Sequence, residues 1–376
     1  GTTIVDVAHT YTGDTTILGG TLRLVMETGQ LGSDATKAVV TGVGTDKGTF
    51  ELSNADTATP QTFTRRITGT GNLRKVGAGS VTLDTDGVPL DYTGDTRVSD
   101  GTLVLDTGNH ITQTQNLVVS AEGEGVTDAR FTLKGTATVN DAVKLADDVS
   151  NAGATNTLQL DGSTLTAGRI IANRTEANAS ARVRLEMQHA ATVELTQTGE
   201  LFAGFNTATG DAIEVGDGGV TLEVAEGKTV TQSANAAITD MSDEPTTHDL
   251  TKAGTGTLVM NARNTYSGRL TVAEGVLQLG DEITASGSAL LGGTGDIALT
   301  GGTLRLALTD APGAVATPTD GERVNARGNY VLARRLTGSD TAAALGNLVK
   351  AGSGRTILTA VNDYQGSTTI EAGVLQ

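Results

Sequence analysis

The chain has 376 residues, of which 50 are glycine, and it contains no cysteine and no tryptophan. The lack of cysteine excludes disulfides and thiolate metal sites. Aromatic residues make up only 3% of the chain, so its core must come from Val, Leu, Ile and Ala. A formal net charge of −17 disfavours nucleic acid and anionic membrane surfaces as partners, because like charges repel.

Four stretches of the sequence resemble one another, and each contains a tyrosine followed two positions later by glycine. In chain order they are residues 1–24, 73–108, 250–280 and 348–376. Their tyrosines are Tyr11, Tyr92, Tyr266 and Tyr364. Because the tyrosine recurs at a fixed place, we expect its ring to pack at a corner of a repeated unit with the hydroxyl directed outward. Both ends of the chain cut through a repeat, which predicts a fragment of a longer array.

Short strands are predicted along the whole chain. Leucines alternate with polar residues, as in Leu22-Arg23-Leu24, and runs of four to six residues are bounded by Gly, Asn or Asp. The alternation predicts that Arg23 and Arg305 are exposed. It also predicts eight buried side chains, which are Leu103, Leu105, Leu258, Met260, Leu277, Leu279, Leu304 and Leu306.

Repeats combined with evenly spaced short strands favour an all-β fold, a right-handed parallel β-helix (β-solenoid), over a β-sandwich. Coils of such a fold stack about 4.8 Å apart and form an elongated rod. We expect residues 1–376 to form a single β-helix. We interpret residues 25–66 and 109–249 as coils of degenerate sequence, and residues 309–323, with two prolines and two glycines, as a protruding loop.

The stretch from Lys252 to Gly280 resembles the passenger-associated repeat of type V autotransporters, which AIDA-like self-associating adhesins carry. The stretch from Lys350 to Gln376 resembles it nearly as well, and the other two copies match in part. The resemblance implies a right-handed β-helix on the outer surface of a Gram-negative cell. It also implies attachment to the membrane only through a C-terminal β-barrel, which these residues do not include.

The resemblance further implies a cell-surface adhesin or self-association module that mediates cell aggregation, biofilm formation or host attachment. Its partner would be the same protein on a neighbouring cell, or a host surface protein or glycan, held by polar contacts along the rod. Repeats of this kind mark the scaffold and not the activity, so a passive structural stalk remains an alternative.

A second alternative is a β-helix enzyme that degrades glycans, with Asp147 and Asp148 as its acids. Adjacent acids on a strand point to opposite faces, and a nucleophile elbow of the form G-x-S-x-G is absent. No two histidines lie within four residues of each other, so no local metal pair is present. We therefore expect no catalytic residue, no cofactor and no metal site.

Charge is clustered in two parts of the sequence. The acidic cluster contains Asp84, Asp86, Asp91, Asp95 and Asp100. The basic cluster contains Arg323, Arg327, Arg334 and Arg335. Clusters of opposite sign near the two ends of a rod could pair two antiparallel copies from neighbouring cells, so these nine residues are the predicted adhesion surface. The alternative interpretation is that both clusters are merely solvated.

Overall fold

The computed structural model describes residues 1–45, 47–147, 150–242, 248–311, 321–338 and 345–376. The chain divides into two compact units, residues 1–185 and residues 186–376. In the described residues, regular structure consists of strands and two single-turn 3₁₀ helices, Glu176–Asn178 and Thr207–Thr209.

The strands of the first unit are short and follow one another closely. They are β1 (Thr2–Val5), β2 (Thr15–Ile17), β3 (Thr21–Val25), β4 (Val39–Thr41), β5 (Thr49–Ser53), β6 (Gln61–Phe63), β7 (Ile67–Gly69), β8 (Asn72–Val76), β9 (Ser80–Leu83), β10 (Asp91–Tyr92), β11 (Thr96–Val98), β12 (Gly101–Leu105), β13 (His110–Val119), β14 (Asp128–Leu133), β15 (Thr136–Leu145), β16 (Thr155–Asp161) and β17 (Thr164–Ala172). Strand β18 (Arg182–Gln188) contains the boundary between the units.

The second unit has the same character. Its strands are β19 (Ala191–Leu195), β20 (Gly199–Leu201), β21 (Ala212–Val215), β22 (Val220–Val224), β23 (Thr229–Gln232), β24 (Thr239–Asp240), β25 (Leu250–Ala253), β26 (Thr257–Met260), β27 (Leu270–Val272), β28 (Val276–Leu279), β29 (Ile297–Leu299), β30 (Thr303–Leu306), β31 (Glu322–Val324), β32 (Tyr330–Leu332), β33 (Leu336–Thr337), β34 (Asn347–Lys350), β35 (Arg355–Leu358), β36 (Thr368–Ile370) and β37 (Val374–Leu375).

In the first unit the chain visits three parallel sheets in turn. Their strand orders are β1-β3-β5-β8-β11-β13-β15-β17, β2-β4-β7-β10 and β6-β9-β12-β14-β16. Like residues stack in register across them: Leu103 pairs with Val81 on one side and Phe131 on the other. A chain that returns to the same sheets coil after coil forms a parallel β-solenoid.

The second unit repeats this architecture. Two long parallel sheets run in the orders β19-β22-β25-β27-β29-β33 and β20-β23-β26-β28-β30-β34-β36. Shorter sheets are β21-β24 and β31-β32-β35-β37, in which β31 runs antiparallel to β32 and β32 runs parallel to β35. Each unit is therefore an all-β parallel β-solenoid, and the predicted fold class is confirmed.

The predicted core is confirmed as well. All eight side chains expected inside are at most 1% exposed. Arg23 and Arg305 do point outward, but their side chains are only 39% and 22% exposed. Arg23 pairs with Glu51, and Arg305 donates to Glu282 at 2.6 Å and also pairs with Glu371. The ion pairs draw both arginines against the surface, so they are less exposed than expected.

A buried lysine occupies one inward position in three of the four repeats. The three residues are Lys75, Lys252 and Lys350, each at most 1% exposed. Each Nζ donates to the two carbonyls that follow it and to one carbonyl of the next coil. For Lys252 these carbonyls belong to Ala253 and Gly254, at 2.7 Å each, and to Glu274 at 3.1 Å. The lysine thus joins two successive coils through their backbones.

The repeat tyrosines differ from the expectation of an outward hydroxyl. Tyr92 and Tyr266 are fully buried, and so are their hydroxyls. The Tyr92 hydroxyl shares a hydrogen bond with Thr96, whereas the Tyr266 hydroxyl is buried and has no hydrogen-bond partner in the described part of the chain. Coils stacked on both sides leave these rings no route to solvent. Tyr11 is exposed, and its hydroxyl bonds to Thr15 at 2.6 Å.

The predicted loop at residues 309–323 is only partly described, because residues 312–320 lie outside the described residues. Its last part is not loop: Glu322 and Arg323 belong to strand β31. Residues 322–324 form a strand because they pair with β32. Glu322 and Val324 are buried and Arg323 lies between them, so alternation places the arginine on the outer face.

Candidate functional site

The structure distributes the predicted acidic cluster over different corners of its coils. Asp84 and Asp86 share the turn after β9, where Asp84 Oδ1 accepts from the Asp86 backbone N–H at 3.3 Å. Asp95 lies between β10 and β11, and Asp100 lies between β11 and β12. Asp91 lies within β10 and pairs with Arg66. The five carboxylates therefore do not form one patch.

Four of these carboxylates are engaged within the protein. Asp84 Oδ1 accepts from Asn109 Nδ2 at 3.3 Å as well as from the Asp86 N–H. Asp91 forms its ion pair with Arg66. Asp95 Oδ1 accepts hydrogen bonds from the backbone and side-chain nitrogens of Asn116, at 3.1 and 2.9 Å. Burial raises the pKa of Asp100, and the nearby Lys75 ammonium opposes that rise. Asp86 is exposed, so the turn that it shares with Asp84 is the most accessible part of the predicted acidic surface.

The basic cluster also needs correction. Arg334 is not a surface residue, since it is 4% exposed and its guanidinium donates to the carbonyls of Gly292 and Gly295. Arg335 is exposed but forms an ion pair with Asp363. Arg323 and Arg327 are exposed, and neither has an ion-pair partner in the described part of the chain. These two arginines therefore carry the accessible positive charge.

Arg323 and Arg327 lie on a hairpin formed by β31 and β32. Glu322, which is 1% exposed, anchors the hairpin on its buried face. Its Oε2 accepts from the Tyr330 hydroxyl at 2.6 Å and from the Leu291 backbone N–H at 3.0 Å, and its Oε1 lies 3.5 Å from Arg334 Nη1. Burial raises the pKa of the Glu322 carboxyl, and the Arg334 charge opposes the rise. A buried carboxylate held by several partners, among them Tyr330, Leu291 and Arg334, fixes the base of the hairpin.

The turn of the hairpin is held by Asn325. Its Oδ1 accepts from the backbone N–H groups of Arg327 and Asn329, at 2.9 and 3.1 Å. Gly328, at φ +81°, donates its N–H to the Asn325 carbonyl at 2.9 Å and closes the turn. Asn329 Nδ2 then donates to Asp310 Oδ1 at 3.1 Å. These bonds set the direction in which Arg327 leaves the turn.

A polar cavity of about 350 Å³ lies beside this turn. It is lined by Asn325, Ala326, Arg327, Asn329, Arg355, Ile357 and Gln376. Guanidinium and amide groups of this kind bind carboxylates, sulfates and hydroxyl-rich groups. Asn325, Asn329 and Arg355 were not among the site residues predicted from the sequence. The signal was present, because Asn325 to Asn329 reads as a glycine-containing hairpin loop between two short strands.

The described residues show no acid pair for the alternative of a glycan-degrading enzyme, which requires Asp147 and Asp148. Asp147 is 3.2 Å from Arg97 Nη1 and accepts from Asn173 Nδ2 at 2.6 Å. Asp148 lies outside the described residues. Among the described residues, no group of three or more His, Cys, Asp or Glu side chains could hold a metal ion, and no helix is long and apolar enough to cross a membrane.

Comparison with known proteins finds the same repeat and one relative along the whole chain. Residues 1–24, 73–105, 250–279 and 348–376 match the passenger-associated transport repeat. The whole chain is 27% identical, over 441 aligned positions, to the adhesin BmaC autotransporter of Brucella suis biovar 1 (strain 1330), and it spans 12% of that protein. No solved structure matches the chain.

The repeats recur along the chain, and the similarity to BmaC covers all of it. Autotransporter passengers of this kind act at the surface of Gram-negative cells or beyond it. Four matching repeats on parallel β-solenoid units, with similarity to an autotransporter adhesin along the whole chain, support an autotransporter passenger.

Proposed function

We propose that this passenger is an adhesin that associates with a second copy of itself on a neighbouring cell, and that it is not an enzyme. The relative named above is an adhesin, which supports the general function. The contact surface of our proposal is the hairpin that carries Arg323 and Arg327. The single observation behind it is the pair of exposed arginines on an anchored hairpin, without ion-pair partners in the described residues.

The complementary surface of the second copy is the turn that carries Asp84 and Asp86. Attraction between exposed charges is weak for one pair, with a typical value of about 0–1 kcal/mol. Many copies on each cell multiply such weak contacts into a strong attachment. The proposal therefore predicts an adhesion that depends strongly on salt, since charges are screened over about 8–10 Å at physiological ionic strength.

The test is a two-colour bead-aggregation assay with beads that carry residues 1–376. We expect wild-type beads to aggregate in 20 mM salt and to disperse in 500 mM salt. The double variant Arg323→Glu/Arg327→Glu should not aggregate. A matched control, Arg169→Glu/Arg335→Glu, makes the same change of charge at exposed arginines that already pair with Asp141 and Asp363, and it should aggregate as wild type does.

A rescue experiment tests the acidic partner. Beads that carry Asp84→Lys/Asp86→Asn should restore mixed aggregates with the Arg323→Glu/Arg327→Glu beads. Asparagine is used at residue 86 because its φ of +53° suits Asn and Asp better than Lys. Aggregation that persists in 500 mM salt and in the arginine double variant would contradict the charge mechanism. Wild-type beads that never aggregate but bind sulfated or carboxylated glycans would indicate host attachment instead.

A further inference from the structure

One sheet of the first unit ends at an open edge. The sheet β6-β9-β12-β14-β16 begins with β6, and in the preceding coil residues 26–38 contain no strand. The Phe63 carbonyl accepts from the Asp84 backbone N–H at 3.0 Å, on the side of β9. Because alternate residues of a parallel strand bond to opposite neighbours, the backbone groups of Thr62 and Thr64 face the open edge. This edge can accept another strand.

A cavity of about 290 Å³ runs along the open edge of β6. The five consecutive residues Gln61 to Arg65 form one side of it, and Leu24, Met26, Gln30 and Leu31 contribute to the other. Leu24, Leu31 and Phe63 give it buried apolar walls. The Phe63 ring packs 5.2 Å from that of Phe50, which holds this wall in place. The cavity therefore combines apolar surface with free backbone groups of an edge strand.

Arg65 lines the same cavity and lacks one partner. The residue is only 6% exposed. Its Nη2 donates to the Gly32 carbonyl at 3.1 Å, while its Nη1 is buried and has no hydrogen bond to any described residue. Buried polar groups in native proteins are nearly always paired, so the unpaired nitrogen indicates a missing acceptor. The neighbouring Arg66 points outward and pairs with Asp91. It therefore serves as a control for substitutions of Arg65.

We propose that this cavity binds an extended, acidic peptide segment of a partner protein, which adds to β6 as a parallel strand and places a carboxylate on Arg65. Strand addition to an open edge is an established mode of peptide recognition. A guanidinium is suited to a carboxylate because it can donate two parallel hydrogen bonds.

The register of β6 specifies the sequence of the peptide. Phe63 and Arg65 point to the same face, since successive side chains of a strand alternate. A parallel strand therefore presents an apolar residue beside Phe63 and, two positions later, an acidic residue beside Arg65. A free carboxylate or an acidic sugar would fill only the Arg65 end and leave the edge of β6 unpaired.

The experiment is a fluorescence-anisotropy titration of the chain, residues 1–376, with the labelled peptide Thr-Thr-Val-Thr-Glu-Thr. We expect saturable binding. The same peptide with Gln in place of Glu should bind at least about tenfold more weakly, because it lacks the charge-assisted pair with Arg65. A peptide N-methylated at the residues that face β6 should not bind, because it cannot donate to the strand edge.

Two variants and one control test the residues. Arg65→Gln should reduce binding of the Glu peptide to the level of the Gln peptide, and Arg66→Gln should leave it unchanged. Thr62→Pro removes an N–H that faces the open edge, a position at which proline is tolerated, and should abolish binding in a folded protein. Thermal unfolding verifies the fold of each variant, so Thr62→Pro keeps the test valid if Arg65→Gln does not fold.

Two results would overturn the proposal. One is binding that survives both Arg65→Gln and Thr62→Pro in folded protein. The other is competition by sodium glucuronate as effective as that by unlabelled peptide, which would mean that the cavity holds an anion and not a strand. Bead aggregation through Arg323 and Arg327 does not involve Arg65, so an Arg65→Gln variant that aggregates normally but fails to bind peptide separates this proposal from the proposed function.

Discussion

Two copies of the repeat, residues 73–108 in the first unit and residues 250–280 in the second, differ in how they accommodate the hydroxyl of their buried tyrosine. Both bury a lysine that donates to three carbonyls across two coils. They differ at the tyrosine. The hydroxyl of Tyr92 has Thr96 as its partner four residues later, whereas Tyr266 has Leu270 at that position and its hydroxyl has no partner.

The difference shows which parts of the repeat hold the coil together. Leu270 stacks in register between Leu250 and Ile297, so the second copy exchanges a polar contact for an apolar one. The ring of Tyr266 still fills its place, and Gly292 makes room for it, since a Cβ there would lie 2.7 Å from the ring. The shared requirements are thus the lysine, the leucine rows and the aromatic volume, while the hydroxyl is dispensable.

The largest expected effect is common to both copies and concerns the leucine rows. Leu103→Ala and Leu277→Ala should each lower the free energy of unfolding by about 2–5 kcal/mol, because each leaves a cavity in a fully buried row. Urea denaturation measures the loss. Leu18→Ala, at a position that is 57% exposed, is the control and should cost much less. A loss below about 1 kcal/mol at Leu277 would mean that the cavity collapses, or that the copies pack differently.

The next prediction concerns the lysines and pH. Burial lowers the pKa of Lys75 and Lys252 from 10.5 to about 8. Between these values the unfolded chain binds more protons than the folded one, so the free energy of unfolding should rise as the pH increases from about 8 to about 9.5. The rise cannot exceed about 1.4 kcal/mol per pH unit for each lysine.

Urea denaturation at several pH values, with Lys75→Met/Lys252→Met as the comparison, isolates this effect. The double variant should show a flatter pH dependence than wild type, because groups that titrate elsewhere contribute equally to both proteins. Measurement stops near pH 9.5, because tyrosines of the unfolded chain begin to ionise at about pH 10. Parallel curves for the two proteins would contradict the assigned pKa values.

Much of the fold could be predicted from the sequence, and the lysines show why. In Leu250-Thr251-Lys252 the alternation already places the lysine on the same face as the leucine, so the inward position was visible before the structure. Its partners were not, because they are backbone carbonyls, and one of them, that of Glu274, belongs to the next coil. The prediction that residues 1–376 form a single β-helix stays a prediction.

The site was harder to predict for a similar reason. Arg323, Arg327, Arg334 and Arg335 look alike in sequence, yet one is buried and one is ion-paired. Alternation does separate Arg323 from its buried neighbours. Arg334 is buried because it binds Glu322 and the carbonyls of Gly292 and Gly295. These glycines lie 42 and 39 residues before it in the sequence. Net charge along a sequence therefore overstates the charge that a surface presents.

The smallest expected effect separates the two copies most clearly. Tyr92→Phe removes a buried hydrogen bond to Thr96 and should lower the free energy of unfolding by about 1 kcal/mol. Tyr266→Phe removes a buried hydroxyl that has no partner, so it should leave stability unchanged or raise it. Both substitutions keep the ring and its packing, and each serves as the control for the other in urea denaturation. Equal losses at the two positions would show that Tyr266 does have an acceptor, such as an enclosed water. In that case the repeat would require the hydroxyl as well as the ring, and Leu270 would replace only one of its possible partners.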